Sequence, residues 1–234
     1  MPAPDIVLLH GANGCAAEIE PLAAPLRAYG RVLVPNLVGH GGRPVPQRLT
    51  IGATAADVVE LLDREGIERA YFVGYSLGGY AALYLARHFA ARTAGACAIA
   101  AKLVFDTATV SRWTHLANPE RLARAGNPRG PEMLRAHGDD WRAVTTANAA
   151  LFEQLGREPA LGDADLAAID RPVLLVNSNR DQLVPWSETL HLGRIMPAAR
   201  LVMFYGLAHP LRNVRVDSVA RAVGQWIEEI ARTR

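Results

Sequence analysis

Short apolar runs alternate with longer mixed stretches along most of the chain. Six runs stand out: "DIVLLHG" (5–11), "RVLVPNL" (31–37), "AYFVGYS" (70–76), "AGACAIAAKL" (94–103), "PVLLVNS" (172–178) and "ARLVMFY" (199–205). They are continuously apolar, with no two-residue alternation, which is the pattern of strands buried on both faces. The stretches 15–29, 52–66, 77–91, 187–195 and 215–232 carry helical patterning, with Thr50 or Thr54 available to cap the second. Strand and helix in alternation predict βαβ units, and so a three-layer α/β/α sandwich around a mostly parallel sheet of about six strands.

Residues 104–168 break this rhythm. They contain no clear strand, and they carry "NPERL", "GNPRGPE" and "HGDDW" between two strand runs. A βα connection needs far fewer residues. The expectation is a single domain over 1–234 with a helical lid inserted at about 104–168, lying over one end of the sheet.

Composition narrows the function classes. Half of the 234 residues are apolar, about a fifth are charged, and the formal net charge is +2 with both signs interspersed. That is a globular profile with no electrostatic footprint for nucleic acid. Two cysteines, Cys15 and Cys97, make no disulfide framework and suggest free thiols in a reducing compartment. The first residues show no basic leader, and none of the apolar runs is long enough to span a bilayer. A cytoplasmic protein acting on a small molecule, away from membranes, is expected; the oligomeric state is left open.

The chemistry starts at "GYSLGG" (74–79). Ser76 falls between a strand and a helix, with Gly74 and Gly78 two residues to either side, the G-x-S-x-G arrangement of a nucleophile held in a strained turn. A serine hydroxyl needs a base, and the base needs an orienting group. His209 follows the last strand run and Asp181 the one before it, both where the carboxyl edge of the sheet is expected. The chain order Ser76, Asp181, His209 matches one known order for such a triad. A developing oxyanion would be met by the backbone amide of Leu77 and by the loop "HGANG" (10–14), through the Ala12 amide or the Asn13 side chain. His10 ends a strand and is expected to support that loop by a hydrogen bond rather than to act as base.

These segments together resemble the α/β-hydrolase superfamily over nearly the whole chain. "VLLHGANG" is similar to its oxyanion loop, "PNLVGHGGR" to its glycine turn, "GYSLGG" to its nucleophile elbow, "SNRDQLVP" to its acid loop and "LAHP" to its histidine loop. The resemblance implies Ser76 as nucleophile, His209 as base and Asp181 as orienting acid, acting through an acyl-enzyme without metal or organic cofactor. Three positions depart from the family pattern: Asn36 where aspartate is usual, and Ser178 and Ala208 where glycine is usual. The family's first two strands find no counterpart among the apolar runs, so a trimmed sheet is expected.

Other readings of single residues are weaker. Asp106 is an alternative acid, or else a helix N-cap. The lone lysine, Lys102, fits no phosphate loop and is read as an exposed residue. Cys15 is read as a small buried residue at a helix start. "HGDDW" (137–141) lacks ligand spacing for a metal and is read as a solvated helix start. Asn13, Tyr75, Phe105, Trp113 and Trp141 are the candidates for lining a substrate pocket, with Leu116, Met133, Leu134 and Phe152 also available. The inserted region's arginines are read as a salt-bridged surface from which one could reach a substrate carboxylate. The expected activity is hydrolysis of a carboxylic ester or thioester of a small, partly apolar substrate. The alternatives are carbon–carbon bond hydrolysis, elimination or aminopeptidase chemistry by the same residues, or a ligand receptor with little turnover.

Overall fold

The computed structural model describes residues 3–206, 208–209 and 216–232. Six strands form one sheet: β1 (Asp5–Leu9), β2 (Arg31–Leu33), β3 (Ala70–Tyr75), β4 (Thr93–Ile99), β5 (Val173–Ser178) and β6 (Ala199–Phe204). Their order is β2-β1-β3-β4-β5-β6 and every neighbouring pair is parallel. Helices α1 (Ala16–Leu26), α2 (Ile51–Arg64) and α3 (Leu77–His88) connect the first four strands. Five helices lie between β4 and β5: α4 (Thr107–Leu116), α5 (Pro119–Leu122), α6 (Arg129–His137), α7 (Trp141–Arg157) and α8 (Asp163–Ala167). Helices α9 (Trp186–Ile195) and α10 (Val216–Arg232) complete the described chain. None of these helices is long and apolar enough to cross a membrane.

The continuous apolar runs are explained by helices on both faces. Ile6 and Leu8 of β1 pack with Ile19 and Leu22 of α1 and with Trp226 of α10. Val7 and Leu9, pointing the other way, pack with Val58 and Leu62 of α2 and Tyr80 of α3. Thr50 starts α2 as its N-cap, accepting the Ala53 amide at 3.0 Å, a contact that stabilises a helix by roughly 1 kcal/mol.

The two outer strands are less buried than their composition suggests. β2 is three residues long with an exposed first residue. On β6, Leu201 and Met203 are 38% exposed, and Tyr205 just beyond is 77% exposed. An edge strand has a neighbour on one side only, and these three residues alternate onto a face that the described helices leave partly open.

The inserted helices are pinned at both ends to helices that flank the sheet. On entry, Glu188 of α9 accepts the amides of Leu103 and Val104 at 2.7 and 2.9 Å, and pairs with Lys102. Lys102 is therefore a buried ion-pair partner and not an exposed lysine; its ammonium is satisfied by the carboxylate that caps the departing chain. On exit, the Leu161 amide donates to the Tyr80 hydroxyl at 3.1 Å. Trp113, Phe105 and Phe152 pack ring to ring between these ends.

Candidate active site

The chain leaves β1 toward β2 on one side of the sheet and later adds β3 on the other, so β1 and β3 flank the point where the winding reverses. Loops leaving the carboxyl ends of two such strands diverge and open a crevice, which is where open α/β sheets hold ligands. Here those loops are "HGANG" after β1 and "GYSLGG" after β3. Among the described residues three that are not glycine have positive φ, and each follows a strand: Asn13 (56°) after β1, Ser76 (53°) after β3 and Ala100 (48°) after β4. Strain of this kind is kept only where the surroundings over-determine it.

Ser76 sits between β3 and α3 with φ 53° and ψ −116°, and is 4% exposed. Its amide donates to Ile99 O at 2.8 Å and its carbonyl accepts from Gly79 and Tyr80, so its backbone is fixed on both sides. The glycines of the motif are required by close backbone approach. A Cβ on Gly74 would lie 1.9 Å from Gly78 O, and one on Gly78 would lie 2.1 Å from Leu9 O. The turn, β1 and α3 fit together only without those atoms.

Asp181 and His209 are brought together from the ends of β5 and β6. His209 Nδ1 donates to Asp181 Oδ2 at 2.7 Å, which leaves Nε2 as the basic nitrogen. The other carboxylate oxygen accepts the amides of Leu183 and Val184, both at 2.9 Å. The carboxylate is buried and its orientation is set by its own loop. His209 and Ser76 edge the same cavity, and no hydrogen bond joins the two among the described residues. Arg112 of α4 donates to Gln182 O at 3.0 Å, tying the inserted helices to the Asp181 loop. Asp106 is the exposed N-cap of α4, accepting the Thr109 amide at 2.7 Å, and takes no part in this pairing.

The Ala12 and Leu77 amides make no hydrogen bond among the described residues. Leu77 is the first residue of α3, where backbone N–H groups are free to meet an anion. Ala12 lies in a turn closed by Gly14 N–H to Gly11 O at 3.1 Å. His10 supports this loop, as its position suggested. Its Nε2 accepts the Leu37 amide at 3.0 Å, so Nδ1 carries the proton and donates to Gly11 O at 2.9 Å.

Two further histidines stand beside it, with ring centroids 5.2 Å apart for His10 and His40 and 5.9 Å for His40 and His137. His40 donates from Nδ1 to Val38 O and accepts from Asn148 of α7. Burial pushes His10 from its ordinary 6.5 down to about 3 and His40 to about 4, with neighbouring histidines adding to both shifts. His137 is lowered by the same cause. His137 corrects the reading of "HGDDW" as a solvated helix start: it is 3% exposed, because it ends α6 against two loops of the sheet. Among the departures from the family pattern, Asn36 accepts the Ala16 amide and donates to Gly41 O. An aspartate could not make the second bond.

A cavity of about 860 Å³ opens over Ser76. Asn13, Tyr75 and Trp113 line it, as does Phe152. The ring centroid of His209 lies 5.1 Å from that of Tyr75 and 6.5 Å from that of Trp113. Phe105 and Trp141 do not line it. Phe105 is buried against Trp113 and Phe152, while Trp141 packs with Leu122 and Met133 in a separate small core. Their place is taken by the start of α1, through Cys15 and through Glu18, the second of which the sequence pattern did not single out. Cys15 is buried at the start of that helix as expected.

Comparison with known proteins agrees with this fold. The model of the Alpha/beta hydrolase family matches residues 6–222. The chain is 28% identical to a protein of Stutzerimonas stutzeri named "Putative carbamate hydrolase RutD", over 95% of this chain and 94% of the other. It is 31% identical to a pimeloyl-[acyl-carrier protein] methyl ester esterase of Aromatoleum aromaticum, over 89% and 92%. Among solved structures, a thermophilic esterase from Thermogutta terrifontis superposes with a TM-score of 0.78 at 22% identity, covering 98% of this chain and 91% of that one.

Proposed function

The chain belongs to the alpha/beta hydrolase family, and on that premise we propose that it is a cofactor-independent serine hydrolase cleaving a carboxylic ester or thioester of a small, partly apolar substrate. The observation that carries this reading is the strained Ser76 opening onto the same cavity as a His209 whose Nδ1 is committed to Asp181. Ser76 Oγ attacks the carbonyl carbon while His209 Nε2 takes its proton. Asp181 holds the tautomer and stabilises the imidazolium. The tetrahedral oxyanion is received by the Leu77 and Ala12 amides. Collapse expels the alcohol or thiol, which takes the proton from His209, and leaves an acyl-Ser76. Water, deprotonated by the same histidine, then releases the acid and restores the serine. The helices between β4 and β5 act as a lid that closes one wall of the cavity and chooses the substrate.

A fluorophosphonate probe tests the nucleophile: the wild type is labelled and Ser76→Ala is not. An unlabelled wild type would sink the assignment. A second reading is favoured by Arg121 and Arg135, which line the cavity without an ion pair among the described residues. They would suit a substrate bearing a carboxylate, including an acidic diketone cleaved at a carbon–carbon bond. A panel of neutral and ω-carboxylate p-nitrophenyl esters, with a diketone acid, decides between the two.

A further inference from the structure

The loop that carries the Ala12 amide is held from two directions. From the sheet side, His10 fixes Gly11 O. From the side of the inserted helices, His137 reaches the same turn. The Gly41 amide donates to His137 Nδ1 at 3.0 Å, so the ring proton is on Nε2, which donates to Asn13 O at 3.2 Å. Asn13 is the left-handed residue of the turn, and its side-chain Oδ1 is buried without a partner among the described residues. The side-chain oxygen therefore offsets none of the strain there. The carbonyl that His137 holds belongs to the residue immediately after Ala12. Gly138, at φ 64°, ends α6 and turns the chain away directly behind the imidazole. His137 is thus a rigid, neutral strut between α6, the 36–43 turn and the "HGANG" loop.

We infer that His137 is a positioning residue: through Asn13 O it sets the direction of the Ala12 amide, so the inserted helices contribute to the oxyanion site and not only to the pocket wall. This rests on the reading that Ala12 receives the oxyanion. An anion hole depends on donors fixed before charge develops, and removing one donor outright costs about 10²–10³ in rate. A donor that is present but loosely aimed costs less.

The experiment compares His137→Leu, which removes both hydrogen bonds, with His137→Gln, whose amide can accept from Gly41 and donate to Asn13. In His137→Leu, kcat for p-nitrophenyl butyrate is expected to fall about tenfold or more with KM changed less than about twofold. The rate of fluorophosphonate labelling should fall in parallel. Amide exchange in a peptide covering residues 8–16 should speed up. His137→Gln should bring kcat back to within about threefold of the wild type and restore slow exchange. Wild-type kcat in His137→Leu overturns the inference, as does a loss carried by KM or one that glutamine does not rescue. If the wild type neither turns over the ester nor reacts with the probe, while loop exchange still follows residue 137, the serine-hydrolase reading fails and the loop coupling stands. If His137→Leu does not fold, His137→Ser provides the same comparison with glutamine.

Discussion

His10 and His40 are neutral in the folded chain well below the pH at which a free imidazole charges, and acidification should expose this as a loss of stability. Unfolded, each histidine titrates near 6.5; folded, His10 titrates at about 3 and His40 at about 4. Between those limits the unfolded chain binds more protons, so stability falls as pH falls. The window opens at the unfolded value and closes as each folded value is passed. From pH 7 to pH 5 the unfolded state gains about 2 kcal/mol per histidine from protonation, and the folded state gains almost nothing. Together the pair contribute a loss of about 4 kcal/mol, a large part of the ~5–15 kcal/mol by which domains are stable. His137, shifted the same way, adds to it. The assay is urea unfolding by circular dichroism at both pH values, for the wild type and for His40→Gln. Glutamine can donate to Val38 O and accept from Asn148, and it does not titrate. Its own packing cost appears at both pH values and cancels in the difference. The variant should lose about 2 kcal/mol less than the wild type between pH 7 and pH 5. Equal losses in the two proteins would refute the reasoning, since His40 would then be charged in the fold.

Asp181→Asn should reduce kcat by about 10³–10⁴ through loss of the correct His209 tautomer, whereas Asp106→Asn should stay within about twofold because Asp106 only caps an exposed helix; steady-state kinetics on one ester settles both, and the reverse ranking would move the acid to Asp106. Gly78→Ala places a methyl 2.1 Å from Leu9 O, and should cost about 3 kcal/mol or more in urea unfolding. Gly42→Ala meets nothing within 4 Å and carries only the strain of φ 80°, about 1–2 kcal/mol, so equal losses would contradict the packing argument. Glu188→Gln leaves Lys102 charged, buried and unpaired, and should cost about 3–5 kcal/mol by denaturation. Adding Lys102→Met should recover much of that, because the glutamine oxygen can still accept the Leu103 and Val104 amides; no recovery would contradict the ion-pair argument.

What could be read from the chain follows how local each signal is. The six strands were legible because both-face burial demands unbroken apolar runs, and Thr50 because a cap lies next to the helix it starts. Ser76 was legible because its glycines are needed within two residues of it. The exposure of Leu201, Met203 and Tyr205 was not, since strand composition does not say which strand ends at an edge. Nor was the division of 104–168 into helices, one of them the four-residue α5. Phe105 and Trp141 were equally good pocket candidates by composition, and only packing decided against them. His137 lies beside a glycine and two exposed acids, so its neighbours suggest a surface. Its partners, Gly41 and Asn13, are 96 and 124 residues away in the chain.

The two pins that hold the inserted helices have a consequence for grafting. On the side of the insertion, both are read through main-chain amides: those of Leu103 and Val104 by Glu188, and that of Leu161 by Tyr80. An amide is supplied by any residue except proline. The seats are therefore blind to the side chains of the segment they receive. A different helical cassette could be joined between 104 and 161 without orphaning the buried carboxylate or the buried phenol. What such a chimaera would have to reproduce are the side chains by which the insertion meets the loops of the sheet: His137 on Asn13 O, Asn148 on His40 and Arg112 on Gln182 O.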